Sequence, residues 1–154
     1  MQVLKEDIRG RILAVAKLQF GQKGYSKTSM REIAELAGVG VGNIYNYFTG
    51  KDELFGEVVR PVMHALEAML QERHGIRGED VMRMKSEKYL KACIDEYVSL
   101  IDEHRTLLEI LLFRAQGSLL EHFRESYTDR STELVKAWFA SMQRKYPEIN
   151  TTVS

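Results

Sequence analysis

TSMREIAELAGVGVGNIYNYFTGK, residues 28–51, is the stretch on which the fold turns. Ser29 and Glu32 stand three apart, the spacing of a capping box that satisfies free amides at a helix start. Ile33, Ala34 and Ala37 follow at helical intervals, and Gly38 supplies a left-handed stop. Val39 is the apolar plug of the turn. A second helix is predicted over residues 41–47, carrying Asn43, Tyr45, Asn46 and Tyr47, an unusual amount of polar and phenolic surface for so short an element. Two short helices joined in this way form a helix-turn-helix, whose second helix enters the major groove of DNA while the first crosses the backbone.

Composition sets the outer bounds. The 154 residues carry 22 basic and 22 acidic side chains, so whole-chain charge does not announce nucleic acid. The distribution is more telling: residues 1–51 hold eight Lys and Arg against four Asp and Glu, a net of +4, and the remainder balances it. A basic head on an acidic body suits a chain that presents one end to phosphate. The single cysteine, Cys93, rules out an internal disulfide and fits a reducing cytoplasm. No charged-then-apolar leader and no 18-residue apolar run appears, so no membrane partner is expected.

Outward from the motif, Ile8, Ile12, Val15, Ala16 and Phe20 form the apolar stripe of a first helix over residues 5–22, ended by Gly24. Ile8, Ile12, Phe20, Ile33, Leu36, Val39, Ile44 and Phe48 are the expected shared core of a three-helix head, residues 1–50. Thr49 and Asp52 look like a further start, followed by a helix to about His74 that bends near Pro61 and is the expected sole connection between head and body. Residues 75–85 read as a loop with one short turn. A fifth helix over 86–103 is expected to bury Tyr89, Leu90, Cys93, Ile94, Tyr97, Leu100 and Ile101. The LLEILLF run within 105–114 is apolar nearly all round, as in a helix surrounded by others. Ser118 and Glu121 open a last long helix to about Tyr146. The fold class is therefore all-α, with a helix-turn-helix head and a helical body over residues 51–154. Asn150, Thr151 and Thr152 are residues that start helices, and the body is expected to lack its C-terminal helices.

The segment T-S-M-R-E-I-A-E-L-A-G-V-G-V-G-N-I-Y-N-Y-F, with K-D-E-L at residues 51–54, resembles the DNA-binding signature of the tetracycline-repressor (TetR/AcrR) family of bacterial regulators. The match runs from about residue 8 to residue 59; beyond it the likeness is one of helical layout. Gly40 and Gly42 depart from the family, which often has side chains there. A glycine inside a helix is worse than alanine by roughly 1 kcal/mol, so the recognition helix is expected to be mobile without DNA. The resemblance implies DNA contacts at Thr28 and Arg31 on the first motif helix, at Val41, Gly42, Asn43 and Asn46 on the second, and phosphate contacts at Tyr45, Tyr47 and Lys51. Phenol hydroxyls and an ammonium near a helix N-terminus suit phosphate. Asn43 can pair with adenine or hydrogen-bond locally.

The resemblance also implies an effector cavity in the body. Methionine and aromatic side chains suit an apolar or aromatic ligand, and Met63, Tyr89, Cys93, Tyr97, Phe113, Phe123, Tyr127 and Trp138 are the candidates, each equally compatible with plain core packing. His64, Cys93, His104 and Glu109 match no metal-ligand spacing. Gly38, Gly40 and Gly42 mimic a nucleotide-binding loop, but a dinucleotide fingerprint needs glycine where Asn43 stands. No cofactor and no enzymatic activity are expected. The resulting expectation is a homodimeric regulator, a repressor of an inverted-repeat operator on double-stranded DNA released by a small-molecule effector. Its rival is a helical small-molecule- or partner-binding protein that has lost DNA recognition.

Overall fold

The computed structural model describes residues 2–149. Among these, regular structure is helical throughout: α1 (Gln2–Lys23), α2 (Met30–Leu36), a 3-10 turn (Asn43–Asn46), α3 (Lys51–His74), the single-turn α4 (Val81–Met84), α5 (Glu87–Phe113) and α6 (Phe123–Lys145). The all-α class follows as expected. The helix start expected at Asn150, Thr151 and Thr152 lies outside the described residues. The chain packs as two compact units: residues up to Met63 with His104–Phe123, and His64–Glu103 with residues from Arg124 onward. It passes between them within α3, within α5 and at the start of α6, so α3 is not the sole connection that the sequence suggests.

The first unit is built on α1. Ile12, Ala16 and Phe20 recur every four residues, and all three are fully buried. Phe20, Tyr25 and Phe55 form an aromatic trio, with edge-on centroid distances of 5.0 Å (Phe20–Phe55) and 5.3 Å (Tyr25–Phe55). Ile33, Ala34, Val39, Ile44, Phe48 and Leu54 complete the core. Leu36, expected inside, is 57% exposed. The reason lies in the helix stop: Gly38 at φ 66 places its N–H on Glu35 O (3.2 Å) and that of Val39 on Ala34 O (2.9 Å), a Schellman end that swings Val39 into the core and leaves Leu36 outside. Thr49 does mark the next helix start, but Glu53 rather than Asp52 completes it, accepting from Thr49 N and Oγ1 at 2.5 and 2.7 Å.

The LLEILLF run is not a separate helix. It continues α5 beyond His104, whose φ −112 and ψ 15 interrupt the helical geometry. Nor is it apolar all round in its setting: Leu107, Ile110 and Leu111 are buried in the first unit, while Phe113 is 70% exposed.

The second unit has a thinner core of Leu70, Leu100 and Trp138. In the earlier part of α5, only Leu100 of the residues expected inside is buried; Tyr89 and Cys93 are half-buried, and Leu90, Ile94, Tyr97 and Ile101 are exposed. Positions 89, 93, 96 and 100 share one face, which carries the buried Leu100 and the Glu96 partner of Arg73 of α3, while the neighbouring 90–94–101 stripe is exposed. Arg73 is itself buried, stacked 4.6 Å above the Tyr97 ring, with its Nη1 unpaired.

Ile110→Ala should therefore destabilise the first unit by about 2–5 kcal/mol, and Phe113→Ala by less than about 0.5 kcal/mol. Urea unfolding of the two variants, followed by circular dichroism, measures both; equal losses would mean this stretch is enclosed on every side.

Candidate nucleic-acid interface

Ser29 caps α2, its hydroxyl accepting from Glu32 N at 3.1 Å. The segment after Gly38 is less regular than the helix expected over 41–47: only Asn43–Asn46 is regular, as a 3-10 turn. The Gly40 carbonyl accepts from Asn43 N (2.8 Å) and Ile44 N (3.1 Å), and Phe48 N reaches Ile44 O at 3.2 Å, so helical hydrogen bonds flank the turn without filling a full helix. Gly40 and Gly42 give the segment little helical preference of its own. Ile44 and Phe48, four apart, anchor it from below. That leaves Val41, Gly42, Asn43, Tyr45 and Asn46 exposed and Tyr47 half-buried. Asn46 Nδ2 donates to Asn43 Oδ1 at 2.6 Å, so the two amides orient each other.

The remaining predicted contacts separate. Arg31 is well exposed on α2, with Nε on Glu35 Oε1 at 2.9 Å. Thr28 is corrected: it is 2% exposed, and its hydroxyl donates to Gly24 O at 2.8 Å, which assigns it to packing the α1–α2 turn rather than to phosphate. Lys51 is half-buried, its ammonium donating to Tyr25 O (3.0 Å) and Thr28 O (2.9 Å) while lying 4.2 Å from the Tyr25 ring centre. Two of its three donors are thus committed to holding that turn. Burial and the Asp52 carboxylate push the Tyr25 phenol up to about 12, which keeps it protonated and uncharged.

This surface is where likeness to known proteins concentrates. Residues 12–58 match the family described as bacterial regulatory proteins, tetR family. Residues 12–58 are a TetR-family segment. The chain is 29% identical over 133 residues (86% of the chain) to an uncharacterised HTH-type transcriptional regulator, YhgD, of Bacillus subtilis. It is 32% identical over 110 residues (70% of the chain) to a probable acrEF/envCD operon repressor of Escherichia coli. It spans 60% and 48% of the length of those two relatives. A TetR/AcrR-family regulator structure from Aquifex aeolicus shares 26% identity at a TM-score of 0.58, covering 91% of this chain and 74% of that one. The structure of NalD, the secondary repressor of the MexAB-OprM multidrug efflux pump in Pseudomonas aeruginosa, shares 26% at 0.61, covering 92% and 70%.

The effector candidates fall in both units. Met63, Phe113 and Phe123 belong to the first unit; Tyr89, Cys93, Tyr97, Tyr127 and Trp138 belong to the second. A cleft of about 610 Å³ is lined by Gln71, His74, Ile76, Leu134 and Trp138 among others, and a smaller one of about 380 Å³ by Tyr127, Ser131 and Val135 of α6 among others. Trp138 is also tied down, its Nε1 donating to Glu79 O at 2.9 Å, and Tyr127 Oη donates to Leu66 O at 3.0 Å. His74 and Arg73 were absent from the sequence-based candidates. A signal existed for Arg73, since positions 62, 66, 69 and 73 continue one helical stripe. Among the described residues, no group of three or more His, Cys, Asp and Glu could hold a metal ion. No described helix is long and apolar enough to cross a membrane.

His74 packs edge-on against Trp138 at 5.1 Å, and burial, with Arg73 beside it, lowers its pKa. The unfolded chain therefore takes up this proton first as pH falls through about 6.5, so the contribution to stability is present above that value and lost below it. His74→Phe should flatten the pH dependence of thermal unfolding of the second unit between pH 7 and 5. An unchanged profile in the variant would show that His74 is not the titrating group.

Proposed function

We propose that this chain is a DNA-binding transcriptional regulator that acts as a homodimeric repressor and leaves its operator when a small apolar or aromatic effector binds. The observation that carries it is the row of exposed side chains raised on the buried pair Ile44 and Phe48 within the segment that matches the TetR family. In this reading residues 1–50 are the DNA-binding domain and residues 51–154 the effector-binding and dimerisation domain. Val41, Gly42, Asn43 and Asn46 meet base edges, while Arg31, Tyr45, Tyr47 and the third donor of Lys51 meet phosphates. A dimer with one such surface per subunit reads an inverted repeat, its half-sites about one helical turn or roughly 34–36 Å apart. The effector occupies the second unit, the 610 Å³ cleft beside Trp138 being large enough for a small molecule. An effector can shift the protein only by binding one head spacing better than the other. The working place of such a regulator is the cytoplasm.

The test is selection of a duplex from a randomised pool, then affinity against salt concentration, with stoichiometry from sedimentation. Two chains per inverted repeat are expected. Arg31→Ala should lower the slope of log affinity against log salt by about one and weaken all sequences alike, whereas Asn43→Ala should relax sequence preference and leave the slope alone. Absence of a selected duplex, or a slope near zero, would sink the DNA-binding reading.

A further inference from the structure

The turn that follows α5 grips the DNA-reading unit at the base of its helix-turn-helix. Arg114 O accepts from Tyr25 N at 2.8 Å, Gln116 O accepts from Ser26 Oγ at 2.5 Å, and Leu119 N donates to Asp52 Oδ1 at 2.9 Å. Gly117, at φ 86, lies so near Ser26 that a Cβ there would stand 2.6 Å from its hydroxyl oxygen. The gripping turn is itself held. Ser118 is buried, donating to Ala115 O (2.7 Å) and accepting from Leu120 N (3.1 Å), while Gly117 N donates to Glu121 Oε2 at 2.9 Å.

What is gripped matters more than the number of bonds. Tyr25 supplies both a carbonyl and a ring to Lys51, and Asp52 is the next residue along. Ile110, Leu111 and Ala115 are buried in the same unit, but apolar packing is non-directional and does not fix where the turn at residues 24–28 sits. Three hydrogen bonds and one contact that only glycine permits do fix it. We propose that residues 114–119 are a positioning clamp for the DNA-reading surface, with Asp52 and Gly117 as positioning residues that touch no DNA and act through Tyr25, Ser26 and Lys51. This rests on the DNA-binding reading above. It gives the part of α5 beyond His104 a route to the DNA contacts through the first residues of α3 and the turn before α2.

The experiment uses the whole chain and the duplex that it selects, at a temperature where circular dichroism shows every variant fully helical. Asp52→Ala should bind about tenfold more weakly, the loss expected for one hydrogen bond to a charged group. Asp52→Asn should stay within about twofold, because its amide oxygen still accepts from Leu119 N, and both should keep the wild-type salt slope. A second arm introduces Gly117→Ala, whose Cβ would stand 2.6 Å from Ser26 Oγ at a φ of 86 that L side chains rarely adopt. It should bind about tenfold more weakly than wild type at an unchanged salt slope. Asp52→Ala or Gly117→Ala binding within about twofold of wild type, or equal losses in both Asp52 variants, would each overturn the clamp. A wild-type chain that selects no duplex would remove the DNA-binding reading with it; a wild type that binds beside indifferent variants would remove the clamp alone.

Discussion

Two backbone carbonyls, those of Tyr25 and Thr28, converge on the Lys51 ammonium, and the first unit is arranged around that meeting. The carbonyls belong to the turn between α1 and α2, the ammonium to the first residue of α3. A buried carbonyl without a donor is expensive, and a charged donor makes the stronger kind of hydrogen bond. One side chain therefore ties the entry of α2 to the entry of α3, with the recognition segment looped between them. The Tyr25 ring beneath the ammonium adds an attraction that grows as water is excluded. Thr28 contributes from the same place by satisfying Gly24 O, and this explains why its side chain is buried rather than offered to DNA.

The recognition segment is held mostly from outside itself. Its own hydrogen bonds make a single 3-10 turn with helical bonds at either end, and its glycines weaken any tendency to go further. Order comes instead from Ile44 and Phe48 pressed into the core, from the Gly38 stop before it, and from the Lys51 tether after it. Arg9 reinforces the far side, lying 5.1 Å over the Phe48 ring and paired with Glu57 at 2.6 Å. A surface supported in this way is sensitive to small shifts in the elements that support it.

The second unit follows another logic. Its few buried apolar side chains share the interior with a guanidinium, and polar ties such as Asp80 to Lys145 and to Tyr146 Oη, the latter at 2.9 Å, close its loop onto α6. Lys145 and the Met82 amide hold the Asp80 carboxyl down to about 2, so it stays charged across the physiological range. A thin core with open clefts stands at the low-stability end of a protein, from which ligand-responsive regions are drawn.

Much of this was legible in the sequence because short-range rules are local. The Ser29 cap, the Gly38 stop, the Ile12–Ala16–Phe20 stripe and the anchors Ile44 and Phe48 each follow from residue types a few positions apart, where helical geometry leaves little choice. The all-α class and the exposed row raised on Ile44 and Phe48 follow from them. Tertiary structure decided whatever depended on which of two faces found a partner. The early part of α5 offers adjoining stripes, 89–93–96–100 and 90–94–97–101; only the first reaches the interior, through Leu100 with Tyr89 and Cys93 half-buried, and the second is exposed. Leu36 lost its place to Val39 through the path of the chain after Gly38, Thr28 turned inward onto the nearby Gly24 carbonyl, and two donors of Lys51 went to carbonyls 23 and 26 positions away. The grip of residues 114–119 on Tyr25, Ser26 and Asp52 joins positions up to 90 apart in sequence, and no local spacing encodes it.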